Sequence, residues 1–143
     1  MNLTVKKCGL FINKEHEFLH ATPDFLVSCD CCGTGWGEVK CLIIIKDGNF
    51  ENFAQQKNSC LEKMNGHLQL RKSHSYYYQV QRQLFFVPEI KYYDFVVCVI
   101  DEKKSMNLIV LCKYPDVQHW NSVLPKLETF WRIRILSEIL GRW

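Results

Sequence analysis

Two apolar runs in the second half of the chain constrain its fold most. Residues 92–100 read YYDFVVCVI and residues 106–112 read MNLIVLC, and only the charged segment DEKKS separates them. Both runs are short and rich in β-branched and aromatic residues, which is typical of buried strands. We therefore predict a β-hairpin at this place and a sheet that the hairpin joins.

Three further segments, in the N-terminal third, have the short and bounded apolar character of strands. They are residues 7–12 (KCGLFI), 23–30 (PDFLVSCD) and 36–41 (WGEVKC), the last of which alternates with period two. The segment CCGTG between the second and third is predicted to form a hairpin turn. Gly33 and Gly35 can take the positive φ that such a turn requires.

A helix is predicted over residues 74–86, because apolar side chains recur there at helical spacing. These positions are Tyr77, Val80 and Leu84. Ser73 or Ser75 could serve as the N-cap, and Pro88 should end the helix.

The tail from Asp116 onward also has an apolar stripe at helical spacing, which predicts one or two amphipathic helices that Pro125 can bend. The stripe consists of Trp120, Val123, Leu124, Leu127, Phe130 and Trp131. Residues 50–64 are polar, and we expect them to be partly helical.

The predicted order of three strands, a helix, two strands and a helix is typical of an α/β (α+β) domain with a mixed central β-sheet flanked by helices. A length of 143 residues fits a single domain over residues 1–143, and a hydrophobic content of 48% excludes a disordered chain. Apolar runs such as residues 95–100 are far shorter than the roughly 20 residues of a membrane-spanning helix. No signal-peptide pattern precedes them, so we expect an intracellular protein of the nucleus or cytoplasm that is not secreted and does not enter a membrane.

Residues two apart on a strand share one face of the sheet. On the predicted strand 36–41, Glu38 and Lys40 therefore point the same way as Trp36, whereas Val39 and Cys41 point the other way. A carboxylate and an ammonium group are thus expected to be neighbours on one face.

Asp24 lies near the far end of the same predicted hairpin and can bring a second carboxylate towards Glu38. Carboxylate oxygens are ligands that Mg²⁺ prefers, and a lysine beside them can orient an attacking water and offset developing charge. This combination is typical of metal-assisted phosphodiester hydrolysis. The alternative is a solvated Glu–Lys pair and an aspartate in a turn, since such short patterns recur by accident.

The dipeptide Pro23-Asp24, followed after a short strand and turn by Glu38-Val39-Lys40, resembles the PD-(D/E)xK nuclease signature. Within that superfamily, the stretches GLFINKEHEFLHATPDFLV, GEVKC and SYYYQVQRQL are similar to the phage lambda exonuclease and YqaJ-type viral recombinase family. The resemblance runs from about Gly9 to Asp94 and pairs the strand motif with the later helix motif. It implies a restriction-endonuclease-like core and a DNA exonuclease that works 5′ to 3′ on duplex ends in recombination. It also implies that the chain can form ring-shaped homo-oligomers.

The resemblance assigns a role to each matched position. It implies that Asp24 and Glu38 hold Mg²⁺, for which Mn²⁺ can substitute, and that the carbonyl of Val39 is a further ligand. It implies that Lys40 is the catalytic lysine. Gln79, the first glutamine of YYYQVQRQL, matches the motif glutamine that helps to position the site and the scissile strand.

The sequence departs from the family pattern in two places. The family carries an acidic residue on a helix upstream of the first strand, and this sequence begins almost at that strand. Where the family often has proline after the EVKC-like motif, this chain has Leu42. The expectation is an N-terminally truncated relative, and the alternative to an active nuclease is a catalytically impaired protein that binds nucleic acid or a protein partner.

Basic and aromatic residues around the predicted helix 74–86 are candidates for contacts with DNA. Arg71, Lys72 and Arg82 could contact phosphates, although a solvated helix face would look the same. Tyr76 could stack on a base at a DNA end, whereas core packing is the expected use of Tyr77.

Four of the eight cysteines lie in or near the predicted hairpin: Cys29, Cys31, Cys32 and Cys41. Brought together, they would supply the four sulfur ligands of a structural zinc site and a zinc-stabilised binding module. Their spacing does not form the two-residue-spaced pairs of a zinc ribbon, so free thiols are the alternative.

Overall fold

The computed structural model describes residues 2–42, 49–100 and 106–141. The elements up to residue 42 are β1 (Leu3–Lys7), β2 (Phe11–Ile12), β3 (His20–Ala21), β4 (Phe25–Cys29) and β5 (Gly33–Leu42). The middle part contains α1 (Phe50–Ala54), β6 (Leu61–Met64), β7 (His67–Leu70), α2 (Ser75–Leu84) and β8 (Tyr92–Ile100). The last part contains β9 (Met106–Lys113), α3 (Val117–Phe130), a π-helical segment (Trp131–Leu136) and α4 (Ser137–Leu140).

The central sheet is mixed and has the strand order β1-β4-β5-β8-β9. Among the strands that the structure describes in this sheet, the β5–β8 pair is parallel, and β1–β4, β4–β5 and β8–β9 are antiparallel. A parallel pair needs a long crossover, and here the crossover contains α1, the β6–β7 hairpin and α2. The fold is therefore a mixed α+β fold, as the order of predicted elements indicated.

One face of the sheet packs against α2 and forms the core. Trp36, Tyr93, Phe95 and Val97 from β5 and β8 are almost wholly buried, and helix α2 contributes Tyr77, Val80 and Leu84 to the same cluster. Burial of a side chain such as Leu84 stabilises the fold by roughly 1.5–3 kcal/mol. Helix α3 closes this cluster through Trp120, whose ring stacks on Phe85 at a centroid distance of 5.1 Å.

The opposite face of the sheet carries exposed apolar side chains. Val5 on β1 is 61% exposed, and Leu108 and Val110 on β9 are 57% and 50% exposed. Two aromatic rings lie over glycines on this face: Phe25 covers Gly37, and Tyr92 covers Gly35.

The two apolar runs in the second half of the chain are strands. The prediction for residues 92–100 is confirmed with the same bounds, and the strand predicted over 106–112 is one residue longer. The predicted turn DEKKS lies outside the described residues. Residues 25–29 of the predicted strand 23–30 and all of 36–41 are strand as well.

The turn between β4 and β5 was predicted at the right place, with one error. Gly33 has a φ of 77°, as predicted, because the chain reverses over residues 30–32. Gly35 does not have positive φ. It lacks a side chain at a position where the Tyr92 ring covers the sheet. A Cβ atom on Gly35 would lie 2.6 Å from the Tyr92 ring.

The strand predicted over residues 7–12 is wrong. Strand β1 ends at Lys7, residues 8–10 are irregular, and β2 covers only Phe11–Ile12. The chain leaves the sheet after Cys8, whose N–H donates to the Asp24 carbonyl at 3.5 Å. All five β1 residues are exposed, so no pattern of buried side chains marks the strand in the sequence. Its position is determined by its pairing with β4.

Residues 50–64 are helical only over Phe50–Ala54, and the β6–β7 hairpin was not predicted. The signal was present as the dipeptide Asn65-Gly66, which has φ values of 51° and 80°. Two consecutive residues with positive φ form the turn that Asn-Gly favours in two-residue hairpins.

The two predicted helical regions are confirmed, with different caps. Helix α2 spans Ser75–Leu84, and its N-cap is His74, whose Nδ1 accepts from the Tyr76 N–H at 3.2 Å, so neither Ser73 nor Ser75 is the N-cap. Pro88 lies beyond the helix end. Helix α3 starts after Asp116, which caps it, and contains Pro125. None of the described helices is both long enough and apolar enough to cross a membrane.

Candidate active site

Glu38 is the centre of a polar cluster inside the core. It lies in the middle of β5, opposite Phe95 of β8, and is only 6% exposed. The predicted alternation is confirmed: Trp36, Glu38 and Lys40 face α2, whereas Val39 points away and is 41% exposed. A buried carboxylate is costly unless donors surround it.

Three side chains donate to the Glu38 carboxylate. Gln79 Nε2 donates to Oε1 at 2.7 Å, and the Lys40 ammonium group bonds the same oxygen. The Tyr93 hydroxyl lies 3.1 Å from Oε2. Both oxygens of the buried carboxylate therefore have partners, which come from β5, α2 and β8.

Tyr93 links Glu38 to a second buried amide. Its hydroxyl also contacts Oε1 of Gln83, a side chain that is 2% exposed. A tyrosine hydroxyl has one hydrogen and so donates to only one of these two oxygens at a time; turning the Gln83 amide would make Nε2 a donor to Tyr93. Burial, followed by the charge of Glu38, raises the pKa of Tyr93 far above its usual range. Tyr93 therefore stays protonated and able to donate.

Asp24 immediately precedes β4 and lies beside the backbone of β5. Its Oδ2 accepts from the Val39 N–H at 2.8 Å, and its own N–H donates to the Gly37 carbonyl at 3.0 Å. The N–H and C=O of one residue in an extended strand point to the same edge, so the Val39 carbonyl also faces Asp24. The Asp24 charge contributes to the raised pKa of Tyr93, which reflects its proximity to the buried cluster.

Lys40 lies between the carboxylate and an aromatic ring. Its Nζ is 4.9 Å from the centre of the Tyr76 ring, and that ring also lies 5.7 Å from Phe95. A cation over a ring face is attracted to it, so Tyr76 helps to hold the ammonium group beside Glu38. Tyr76 is half-buried in this position and contacts the protein interior.

The candidate DNA-contacting cations occupy different environments. The Arg71 guanidinium donates to the backbone carbonyls of four residues around α1 and β6, namely Ala54, Gln56, Lys57 and Leu61. These bonds indicate that Arg71 holds the two segments together. Lys72 bonds Asp116 Oδ2 at 3.0 Å, although 70% of its side chain is exposed. Arg82 is half-buried on α2, and its Nε atom has no hydrogen-bond partner within the described residues.

A cleft between α2 and α3 opens beside Gln79. It has a volume of about 370 Å³ and is lined by Ser75, Tyr78, Gln79, Arg82, Val123 and Leu127. The cleft thus places Arg82 and the exposed Tyr78 next to Gln79, the helix residue that contacts Glu38.

The structure unites three of the four cysteines considered from the sequence. Cys29, Cys31 and Cys32 lie together in the β4–β5 turn, whereas Cys41 lies at the other end of β5, opposite Cys98. The four-cysteine set is therefore not assembled, because β5 separates its members.

Sequence reasoning missed Tyr93 and Gln83. Gln83 lies four residues after Gln79 and hence on the same face of α2, a spacing that could have identified it. Tyr93 lies in an apolar strand, where a buried tyrosine looks like any other core residue.

Comparison of the chain with protein-family models, with curated proteins and with solved structures found no match.

Proposed function

We propose that this protein is a metal-dependent deoxyribonuclease that hydrolyses phosphodiester bonds of DNA in the manner of the lambda exonuclease family. The observation that carries the proposal is the contact of Gln79 with Glu38, beside Lys40 on the same strand face. These are the residues to which the family resemblance assigns the motif glutamine, the carboxylate and the lysine. Two separate sequence motifs thus meet at one carboxylate.

The available ligand atoms fit a hard divalent cation. Asp24, Glu38 and the Val39 carbonyl supply only oxygens, which Mg²⁺ and Mn²⁺ prefer. The Val39 N–H donates to Oδ2 of Asp24. The other carboxylate oxygen of Asp24, Oδ1, accepts no hydrogen bond from any described residue. A bound Mg²⁺ would stabilise charge on the phosphate oxygens and lower the pKa of the attacking water.

The protein groups around these ligands have separate tasks in the proposal. Lys40 orients the attacking water and offsets the negative charge that develops at the phosphate. Gln79 holds the Glu38 carboxylate in place from the helix side, and Tyr93 holds it from the sheet side. The three donors together keep the carboxylate in a single orientation.

The cleft between α2 and α3 is the proposed path for the nucleic acid. Arg82 can contact a phosphate there, and Tyr78, which is 47% exposed, offers a ring for stacking. Lys72, which precedes the same helix by three residues, can contact the DNA backbone further along. The net charge of +3 is small, so we propose that local contacts hold the DNA and that the affinity falls with salt.

We extend the proposal to a restriction-endonuclease-like core, 5′ to 3′ action on duplex ends in recombination, and ring-shaped assembly. The mixed sheet with one parallel central pair supports the core assignment. Linear and closed circular duplexes distinguish exonuclease from endonuclease action, and a label on the 5′ or 3′ end determines the polarity.

The decisive experiment is digestion of end-labelled linear duplex DNA with Mg²⁺ or Mn²⁺ and with EDTA. We expect metal-dependent cleavage that Glu38→Gln and Lys40→Met abolish. Lys63→Met is the matched control, because Lys63 lies on the separate β6–β7 hairpin and forms an exposed ion pair with Glu51 of α1. Cleavage that persists in Glu38→Gln at the wild-type rate would refute the assignment.

A second candidate function is DNA binding without cleavage. It is favoured by the fact that Lys40, Gln79 and Tyr93 all bond the Glu38 carboxylate, so that both of its oxygens have protein partners. A folded chain that shifts labelled duplex DNA in a gel but does not cut it with either metal would support this function over the first.

A further inference from the structure

The turn between β4 and β5 contains a cluster of three sulfur atoms that the proposed nuclease site does not use. Cys29 is the last residue of β4, Cys31 and Cys32 are in the turn, and Gly33 begins β5. The positive φ of Gly33 allows the chain to reverse tightly, so the three side chains converge.

The sulfur atoms are close to one another. The Sγ atoms of Cys29 and Cys31 are 3.3 Å apart, those of Cys31 and Cys32 are also 3.3 Å apart, and all three lie within 4.8 Å of one another. Zinc–sulfur bonds of about 2.3 Å at tetrahedral angles place two sulfur ligands about 3.8 Å apart. Two of the observed spacings are about 0.5 Å shorter than this value and no pair exceeds 4.8 Å, so a single ion can reach all three atoms with small side-chain rotations.

The backbone of the turn also supports ligation. The Cys32 N–H donates to Cys29 Sγ at 3.0 Å. Groups that donate to a metal ligand from outside the coordination sphere orient it and adjust its basicity. Cys29 is buried, whereas Cys31 and Cys32 are exposed, so an ion can enter from solvent.

We infer that Cys29, Cys31 and Cys32 form a binding site for one thiophilic metal ion, of the class of Zn²⁺, Cd²⁺ and Cu⁺. Three sulfur ligands select such ions over Mg²⁺, which takes oxygen ligands. Each thiol releases its proton to solvent as it binds. For Zn²⁺ or Cd²⁺ a water can take the fourth position. The site joins the end of β4 to the start of β5 and is separate from the carboxylate site.

The test is titration of the fully reduced 143-residue chain with Cd²⁺ under anaerobic conditions, followed through the ultraviolet absorption of the cadmium–thiolate bond. Zn²⁺ in competition with a chelator gives the affinity, and Cu⁺ is titrated in a parallel arm. We expect one ion per chain. Loss of an outer partner of a ligand typically weakens metal binding roughly 10–100-fold, so loss of a direct ligand should weaken it at least about 100-fold. Cys31→Ser and Cys32→Ser test this, because both side chains are exposed and the variants should fold.

Cys41→Ser and Cys112→Ser are matched controls, since each removes an exposed thiol outside the cluster. Their binding should equal that of the wild type. The inference is overturned if the reduced, folded chain binds none of the three ions. It is equally overturned if Cys31→Ser and Cys32→Ser retain wild-type affinity, or if the controls lose it. A second readout is thermal unfolding, in which Zn²⁺ should raise the Tm of the wild type and not that of Cys31→Ser.

Discussion

Gln79 donates a hydrogen bond of 2.7 Å to Glu38 across 41 residues of sequence. The contact joins α2 to the centre of the sheet and connects the two motifs on which the proposed function rests. We expect Gln79→Ala to lower the rate of DNA cleavage by about 10²-fold, since the carboxylate loses one of its orienting donors. It should also lower the free energy of unfolding by roughly 1–3 kcal/mol, because a bond to a buried charge is lost.

Gln118→Ala is the control for this variant. Gln118 is an exposed glutamine on α3 outside the cleft, and its removal should change neither quantity. Urea unfolding and end-labelled digestion measure the two effects. A Gln79→Ala protein with wild-type cleavage and stability would contradict the role assigned to this contact.

Tyr93→Phe should destabilise the fold without changing the shape of the core. The variant keeps the ring and removes a hydroxyl that contacts Glu38 and Gln83. Because both partners are buried, we expect a loss of about 1–3 kcal/mol in urea unfolding. Tyr92→Phe is the matched control on the next position, since the Tyr92 hydroxyl makes no hydrogen bond within the described residues. Equal destabilisation by the two substitutions would count against the network.

Gly37→Ala should distort the strand that carries Glu38. A Cβ atom at residue 37 would lie 2.1 Å from the Phe25 ring, so the ring must move. Overpacking of this kind typically costs about 1–3 kcal/mol. Gly9→Ala is the control, because no atom lies within 4 Å of its added Cβ. In a double-mutant cycle, Phe25→Ala should remove the penalty of Gly37→Ala; an additive result would show that the ring is not its cause.

Asp116 should make the stability depend on pH in the acid range. Its carboxyl accepts bonds from the His119 N–H, from Tyr77 and from Lys72, and these bonds hold its pKa well below the usual range. A lowered folded-state pKa stabilises the fold above the unfolded pKa of about 3.9, and the contribution disappears as pH falls below it. The stability difference between wild type and Asp116→Asn should therefore be largest near neutral pH and shrink below about pH 4.

Asp94 provides a comparison in which the shift of the carboxyl pKa has the opposite sign. Burial raises the pKa of its carboxyl, so its ionisation opposes folding as pH rises through that pKa. Asp94→Asn should therefore gain stability relative to wild type as pH rises, whereas Asp116→Asn should lose it. Urea midpoints measured across the acid range would decide, and parallel curves for the two variants would contradict both assignments.

Burial patterns explain why some elements were predictable. The run at residues 92–100 is strand because its side chains fill the core, and the spacing of Tyr77, Val80 and Leu84 identifies α2 for the same reason. Strand β1 was not predictable, because its five residues are exposed and only pairing with β4 orders them.

The candidate site was predictable in part. Strand period two placed Glu38 and Lys40 on one face, whereas Gln79 was matched to them only through the family resemblance. The separation of Cys41 from the other three cysteines follows from the length of β5. The part played by Tyr93 depends on the strand order in the sheet, which is determined by the β5–β8 crossover and which no local pattern reveals.

The parallel pairing of β5 with β8 also affects the order in which the chain can acquire its site. Glu38 has no partner on α2 or β8 until the whole crossover has been synthesised and its ends have met. Non-local pairing of this kind slows folding, because the entropy of a long loop is lost before its contacts form. On the ribosome, the hairpin with Asp24 and the cysteine cluster can form first, whereas the buried carboxylate must wait for Tyr93 to emerge. Assembly of the carboxylate site is thus coupled to completion of the sheet, so partly made chains carry the hairpin without the carboxylate cluster.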